Sequence, residues 1–116
     1  MTARLLLALA AITISLASSA TERKPPPWEK PLAKGRDLYR ENCIVCHDID
    51  KAETRKIGPS LFRLFQNEKL PFSGGTPSEE YVNFKIQLGG DVMPAFTGRL
   101  TPQQIDLIVD YIKSAK

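Results

Sequence analysis

Cys43-Ile44-Val45-Cys46-His47 is the stretch on which the reading of this chain turns. Positions i, i+3 and i+4 of a helical turn share one side, so two thiols and one imidazole face the same way. Cys43 and Cys46 can then reach the two vinyl groups of one porphyrin while His47 faces its iron, which is the attachment signal for c-type haem. Other uses of these residues fit poorly. A zinc site normally takes four ligands, and the chain has no third Cys and no second His. A thioredoxin-like pair would sit near a βαβ pattern, and no stretch shows sustained period-2 alternation. A reducible Cys43–Cys46 disulfide stays open, because an exported compartment is oxidising.

Export is what the N-terminus predicts. Arg4 supplies a positive start, Leu5 to Ala17 runs without a charge, and Ser18-Ser19-Ala20 closes the run with small residues. These are the three parts of a secretory leader, with cleavage expected after Ala20. The rival is an uncleaved anchor, but an uncharged run of 13 residues falls short of the roughly 20 that cross a bilayer core. Residues 1–20 are therefore read as a signal peptide, residues 21–31 as a proline-rich tether and residues 32–116 as the domain. Pro25-Pro26-Pro27 favours an extended, semi-rigid connection. Trp28 either docks that tether on the domain or stands exposed.

A chain this short forms one domain with a thin core, and such domains lean on a disulfide, a metal or a cofactor. Two cysteines three positions apart close too small a loop to staple a fold. They must therefore stabilise it through what they bind. The formal charge is +3, from 16 basic and 13 acidic side chains. Loss of Arg4 with the leader leaves 15 against 13, or +2, and two haem propionates bring the whole near neutral. Thr21 to Lys69 holds 11 Lys/Arg against 8 Asp/Glu, and Leu70 to Lys116 holds 4 against 5. A mildly basic first half suits docking to an acidic partner. It is too weak to argue for nucleic acid.

From Pro31 onward the pattern is helical and broken by loops, which predicts an all-α domain. A first helix is expected over about Leu32 to Asn42, with Ala33, Leu38 and Tyr39 apolar. Gly35 inside it costs about 1 kcal/mol against Ala and suggests that another segment packs close there. A charged loop, Asp48 to Lys56, leads to Ile57-Gly58-Pro59-Ser60 and a short helix over Leu61 to Gln66. Thr76-Pro77-Ser78-Glu79 carries a helix-start signal, with Thr76 as cap and Glu79 as its capping-box partner. That helix is expected to end at Gly89-Gly90. Thr101-Pro102-Gln103-Gln104 repeats the start signal. Ile105, Ile108, Val109 and Ile112 then fall at i, i+3, i+4 and i+7, one face of a last helix that Tyr111 extends.

The iron needs a ligand on its second face. With Met1 lost in the leader, Met93 is the one Met left, and His47 is the one His. Met93 lies in a Gly/Pro-flanked loop, where Pro94 biases it towards an extended backbone. A gap-filling core role, common for Met, fits this loop position less well. His/Met ligation raises the reduction potential and fills both axial positions, which favours electron transfer over oxygen or peroxide chemistry.

Across about Leu32 to Ala115 the chain resembles the class I, mitochondrial-type c-type cytochromes. Gly35 and Tyr39 match the family's Gly and aromatic in its N-terminal helix; Ile108 and Tyr111 match its C-terminal helix. The resemblance implies a small cytochrome c fold of about four helices around one covalent haem, with the two terminal helices crossing at Gly35. Gly58-Pro59-Ser60-Leu61 resembles the segment whose Pro carbonyl accepts a hydrogen bond from the ligating His, which would fix its tautomer. Met93-Pro94 resembles the sixth-ligand segment. Arg55, Lys56 and Trp28 are the candidates for meeting the haem propionates, with nothing in the spacing to select one.

These readings converge on a monohaem single-electron carrier of the periplasm, not an enzyme. It would meet redox protein donors and acceptors through its haem edge, as a monomer or in transient complexes, and would touch a membrane only if the leader is uncleaved. Two other functions stay in view. One is a dedicated subunit or acceptor of a periplasmic dehydrogenase. The other is a haem ligand sensor or peroxidase in which Met93 dissociates.

Overall fold

The computed structural model describes residues 26–27 and 29–116. The expected leader, residues 21–25 of the tether and Trp28 lie outside the described residues. Within them the chain forms three α-helices: α1 over Glu29–Asn42, α2 over Glu79–Leu88 and α3 over Pro102–Ser114. A single 3-10 turn covers Leu64–Gln66. The described residues contain no strand beyond one isolated bridge between Thr97 and Leu100. The all-α expectation holds, with the short helix between α1 and α2 reduced to that turn.

Three boundaries differ from the sequence expectation, each for a local reason. Helix α1 begins at Glu29, not at Leu32. Pro31 sits in its first turn, where the missing N–H has no intrahelical partner to lose. The expected helix over Leu61 to Gln66 starts only at Leu64, because Arg63 takes left-handed angles (φ 51°, ψ 33°). Helix α2 is capped by Ser78, not Thr76. Ser78 is extended, and its hydroxyl accepts the Tyr81 N–H at 3.1 Å. This places Glu79 and Glu80 in the first turn, at the positive end of the helix dipole. The α3 start is as expected: Thr101 and Gln104 form a reciprocal capping box at 3.2 and 2.8 Å, with Pro102 opening the helix.

Helices α1 and α3 cross over Gly35. A Cβ there would run into the Leu107 carbonyl and lie 3.0 Å from Tyr111 Cβ, so only hydrogen permits this approach. Next to the crossing the Tyr39 and Tyr111 rings sit 5.5 Å apart in a tilted pair. Ile105, Ile108, Val109 and Ile112 are all buried, Ile108 completely, against Leu38 and Tyr39. Val82 and Ile86 of α2, with Leu64, Leu70 and Phe96, complete the core. Asn83 bonds Asp106 at 2.7 Å between α2 and α3, and Glu79 pairs with Lys113. The core thus fixes the end of α1, from which the turn at Cys43 to His47 leaves, and the end of α2, from which the Met93 loop leaves.

Candidate functional site

Cys43 follows directly on α1, and the next residues continue as a tight helical turn. Cys46 N–H and His47 N–H both donate to the Cys43 carbonyl, at 3.0 and 2.9 Å. Both cysteines are free thiols. Cys43 is buried, and that burial, with Cys46 beside it, pushes its thiol up to about 11. A thiol so held is a poor partner for disulfide exchange, which needs the thiolate.

His47 is held by ring and backbone. Its Nδ1 lies 2.8 Å from the Pro59 carbonyl. A carbonyl oxygen only accepts, so Nδ1 carries the proton and Nε2 keeps the lone pair a metal would take. Gly58 makes this approach possible: a Cβ there would stand 2.5 Å from His47 Cε1 and 2.7 Å from its Nδ1. The His47 carbonyl accepts the Tyr39 hydroxyl at 2.9 Å. Burial, followed by the nearby Cys43, holds the Tyr39 phenol well above its ordinary value, so it stays a donor.

The loop after the turn closes back on it. Gly58 N–H donates to the Cys46 carbonyl at 2.8 Å, and Leu61 N–H to the Asp48 carbonyl at 2.7 Å. Asp48 itself is buried, yet its carboxylate is fully engaged. Thr54 donates to one oxygen at 2.7 Å and Lys56 pairs with the other at 2.9 Å, with Lys51 at 3.6 Å. The Thr54 bond first, and Lys56 next, lower the Asp48 carboxyl below its ordinary value against the cost of burial. Lys56 also donates to the carbonyls of Ile44 and His47. Sequence reasoning missed this network. No periodicity or motif marks residues 48, 54 and 56 as neighbours, and Lys56 was expected only as one of three partners for a propionate.

Met93 lies in the loop after α2, half-buried against the core. Gly89 N–H donates to the Lys85 carbonyl, Phe96 N–H to Ile86 and Thr97 N–H to Gln87, at 2.8, 3.1 and 3.2 Å. The Thr97 hydroxyl adds a bond to Gln87 at 2.8 Å. Three carbonyls at the end of α2, which a helix leaves without internal partners, are thus capped by the loop that carries Met93. Gly89 adopts φ 70°, ψ −150°, a conformation nearly exclusive to glycine, against the backbone of Met93, Pro94 and Ala95.

The donor set fits a covalent haem: two free thiols on one turn, an imidazole with Nε2 unprotonated, and a thioether on a braced loop. Comparison with known proteins agrees. A family model described as cytochrome c oxidase, cbb3-type, subunit III matches residues 30–112. The cytochrome c6 of Thermosynechococcus vestitus is 31% identical over 106 residues, covering 91% of this chain and 87% of that protein. The chain belongs to the class I c-type cytochromes. As a member of that family this cytochrome binds haem c covalently and carries electrons.

Its similarity to solved structures runs the same way. The c-type cytochrome SorU of Sinorhizobium meliloti is 28% identical with a TM-score of 0.54, covering 75% of this chain and 92% of that one. Cytochrome c6 of the diatom Phaeodactylum tricornutum, at 24% identity and a TM-score of 0.56 over 72% of this chain and 91% of that one, shares the fold. Among the described residues of this cytochrome, no helix is long and apolar enough to cross a membrane.

Proposed function

We propose that this cytochrome is a one-electron carrier of the periplasm, exported by residues 1–20 and cleaved after Ala20, with Cys43 and Cys46 as the thioether anchors and His47 and Met93 as the axial iron ligands. The bond between His47 Nδ1 and the Pro59 carbonyl at 2.8 Å carries the reading, because it leaves Nε2 as the one imidazole atom available to iron. Haem, when bound, supplies the one-electron iron couple. Pro59 orients the imidazole and makes it a stronger donor. The Met93 thioether, soft and uncharged, favours the ferrous state, and its braced loop limits rearrangement between the two oxidation states. Held by His47 and Met93, the haem would be closed to substrate and would exchange single electrons with donor and acceptor proteins in small, short-lived complexes.

A redox-titrated absorption spectrum of the exported protein tests this by reporting haem type, axial ligation and potential together. Met93→Ala should convert the ferric spectrum from six-coordinate to one with an open position. An unchanged spectrum would remove Met93 from the ligand set. Rapid binding of carbon monoxide by the ferrous wild-type protein at neutral pH would favour the sensor or peroxidase reading instead. A second reading, a dedicated subunit of a larger redox enzyme, draws support from the family description, which names an oxidase subunit. Co-purification of a stoichiometric partner would favour it over the free shuttle.

A further inference from the structure

Lys56 turns its ammonium inward. The group has three N–H donors on a flexible stem, and it finds three oxygens: the Ile44 carbonyl, the His47 carbonyl at 3.1 Å and an Asp48 carboxylate oxygen at 2.9 Å. The Lys56 side chain is 30% exposed and that of Asp48 only 8%. Asp48 is in turn held by the Thr54 hydroxyl at 2.7 Å, and that hydroxyl accepts the Lys56 N–H at 3.0 Å. Residues 54–56 are therefore locked to residues 44–48 by a closed set of bonds, most of them charge-assisted.

The His47 carbonyl is the meeting point. It has two lone pairs, and Tyr39 from α1 and Lys56 from the loop take both, at 2.9 and 3.1 Å. Three residues beyond Lys56, the Pro59 carbonyl receives the His47 ring proton. The clamp on the backbone and the bond to the ring thus sit on one short segment, and slack in the first would move the second. With its three donors satisfied, Lys56 has none left over for a propionate.

We propose that Lys56 is a positioning residue for the axial imidazole: by clamping the Ile44 and His47 carbonyls to the loop, it holds the Pro59 carbonyl in register with His47 Nδ1. The inference rests on the reading of His47 as an iron ligand. Its measure is the rate at which the His47 Nδ1 proton exchanges with solvent in the haem-loaded protein, read by nuclear magnetic resonance.

Lys56→Met should speed that exchange about tenfold or more, the scale of one charge-assisted bond. The charge-balanced pair Asp48→Asn with Lys56→Met should do the same, since it removes the clamp without changing net charge. The Ile108 amide, deep in α3, should be accelerated far less. A Nδ1 proton that exchanges at the wild-type rate in either variant would overturn the inference. So would equal acceleration of Nδ1 and the Ile108 amide, the mark of lost stability alone. If Lys56→Met fails to load haem, Thr54→Val loosens Asp48 without touching a carbonyl of the attachment turn. It should speed Nδ1 exchange by a smaller factor, and an unchanged rate there overturns the inference equally. The ligation reading fails separately: wild-type ferric protein would then lack paramagnetically shifted His47 ring protons.

Discussion

The two sides of the candidate haem site are braced in different ways. On the His47 side, side chains dominate: Lys56, Asp48, Thr54 and Tyr39 converge on the attachment turn, and the ring itself is bonded to Pro59. On the Met93 side the bracing is almost all backbone. The loop caps the last carbonyls of α2 through Gly89, Phe96 and Thr97. The difference follows from the ligand chemistry. An imidazole has a second nitrogen through which the protein can grip and orient it. A thioether offers only a weak acceptor, so its position must be set by the chain that carries it.

The two sides should therefore break independently. Gly89→Ala should have the largest effect, because it forces a side chain into a glycine-only conformation and against the backbone of residues 93–95. A loss of roughly 2–4 kcal/mol is expected, read by denaturant titration. Carbon monoxide should bind the ferrous form more readily, while the His47 Nδ1 proton stays protected.

Gly58→Ala should be the mirror case. Its Cβ would overlap the His47 ring and the Cys46 carbonyl, costing about 1–3 kcal/mol and breaking the bond to Pro59. Here the His47 Nδ1 proton should exchange faster while carbon monoxide binding stays slow. If both variants gave the same spectroscopic change, the two-sided description would fail.

Acid sharpens the comparison further. The Asp48 carboxyl is lowered in the folded protein, first by Thr54 and then by Lys56. Its contribution to stability is therefore complete above the ordinary Asp range near about 3.9 and is lost as pH falls through the lowered value. The named bonds of the Met93 loop involve no ionisable group. Amide exchange in residues 54–61 should therefore accelerate below about pH 4 before that in residues 89–97, and Asp48→Asn should abolish the difference. The smallest effect is expected for Thr97→Val, which removes one cap on Gln87 at a cost of about 1 kcal/mol. It should register in stability and leave the His47 side untouched.

The contrast also marks where the sequence was legible. The buried face of α3 could be read from periodicity, since Ile105, Ile108, Val109 and Ile112 repeat at the spacing of one helical face. Gly35 could be read as a close approach, because a glycine inside a helix is costly without one, and the Leu107 carbonyl supplies the reason. The caps were half legible. Thr101 was found, but Ser78 was passed over for Thr76, since both residues can cap and only the backbone path chooses between them. Pro31 looked like a boundary because a proline breaks a helix interior, and it lies instead in a first turn, where it breaks nothing.

By itself, then, the sequence determined the chemistry on offer: two thiols and an imidazole on one turn, a single Met beyond the first residue, and helices whose apolar faces must meet. Those are properties of residue type and local spacing. Tertiary structure alone decided how the candidate ligands are aimed. The Asp48–Thr54–Lys56 network and the Pro59 bond join residues from a loop with no periodicity, and their partners are backbone carbonyls, which every residue carries and no sequence pattern distinguishes. Only the folded path of residues 54–61 brings those groups within hydrogen-bond distance of the turn at Cys43 to His47.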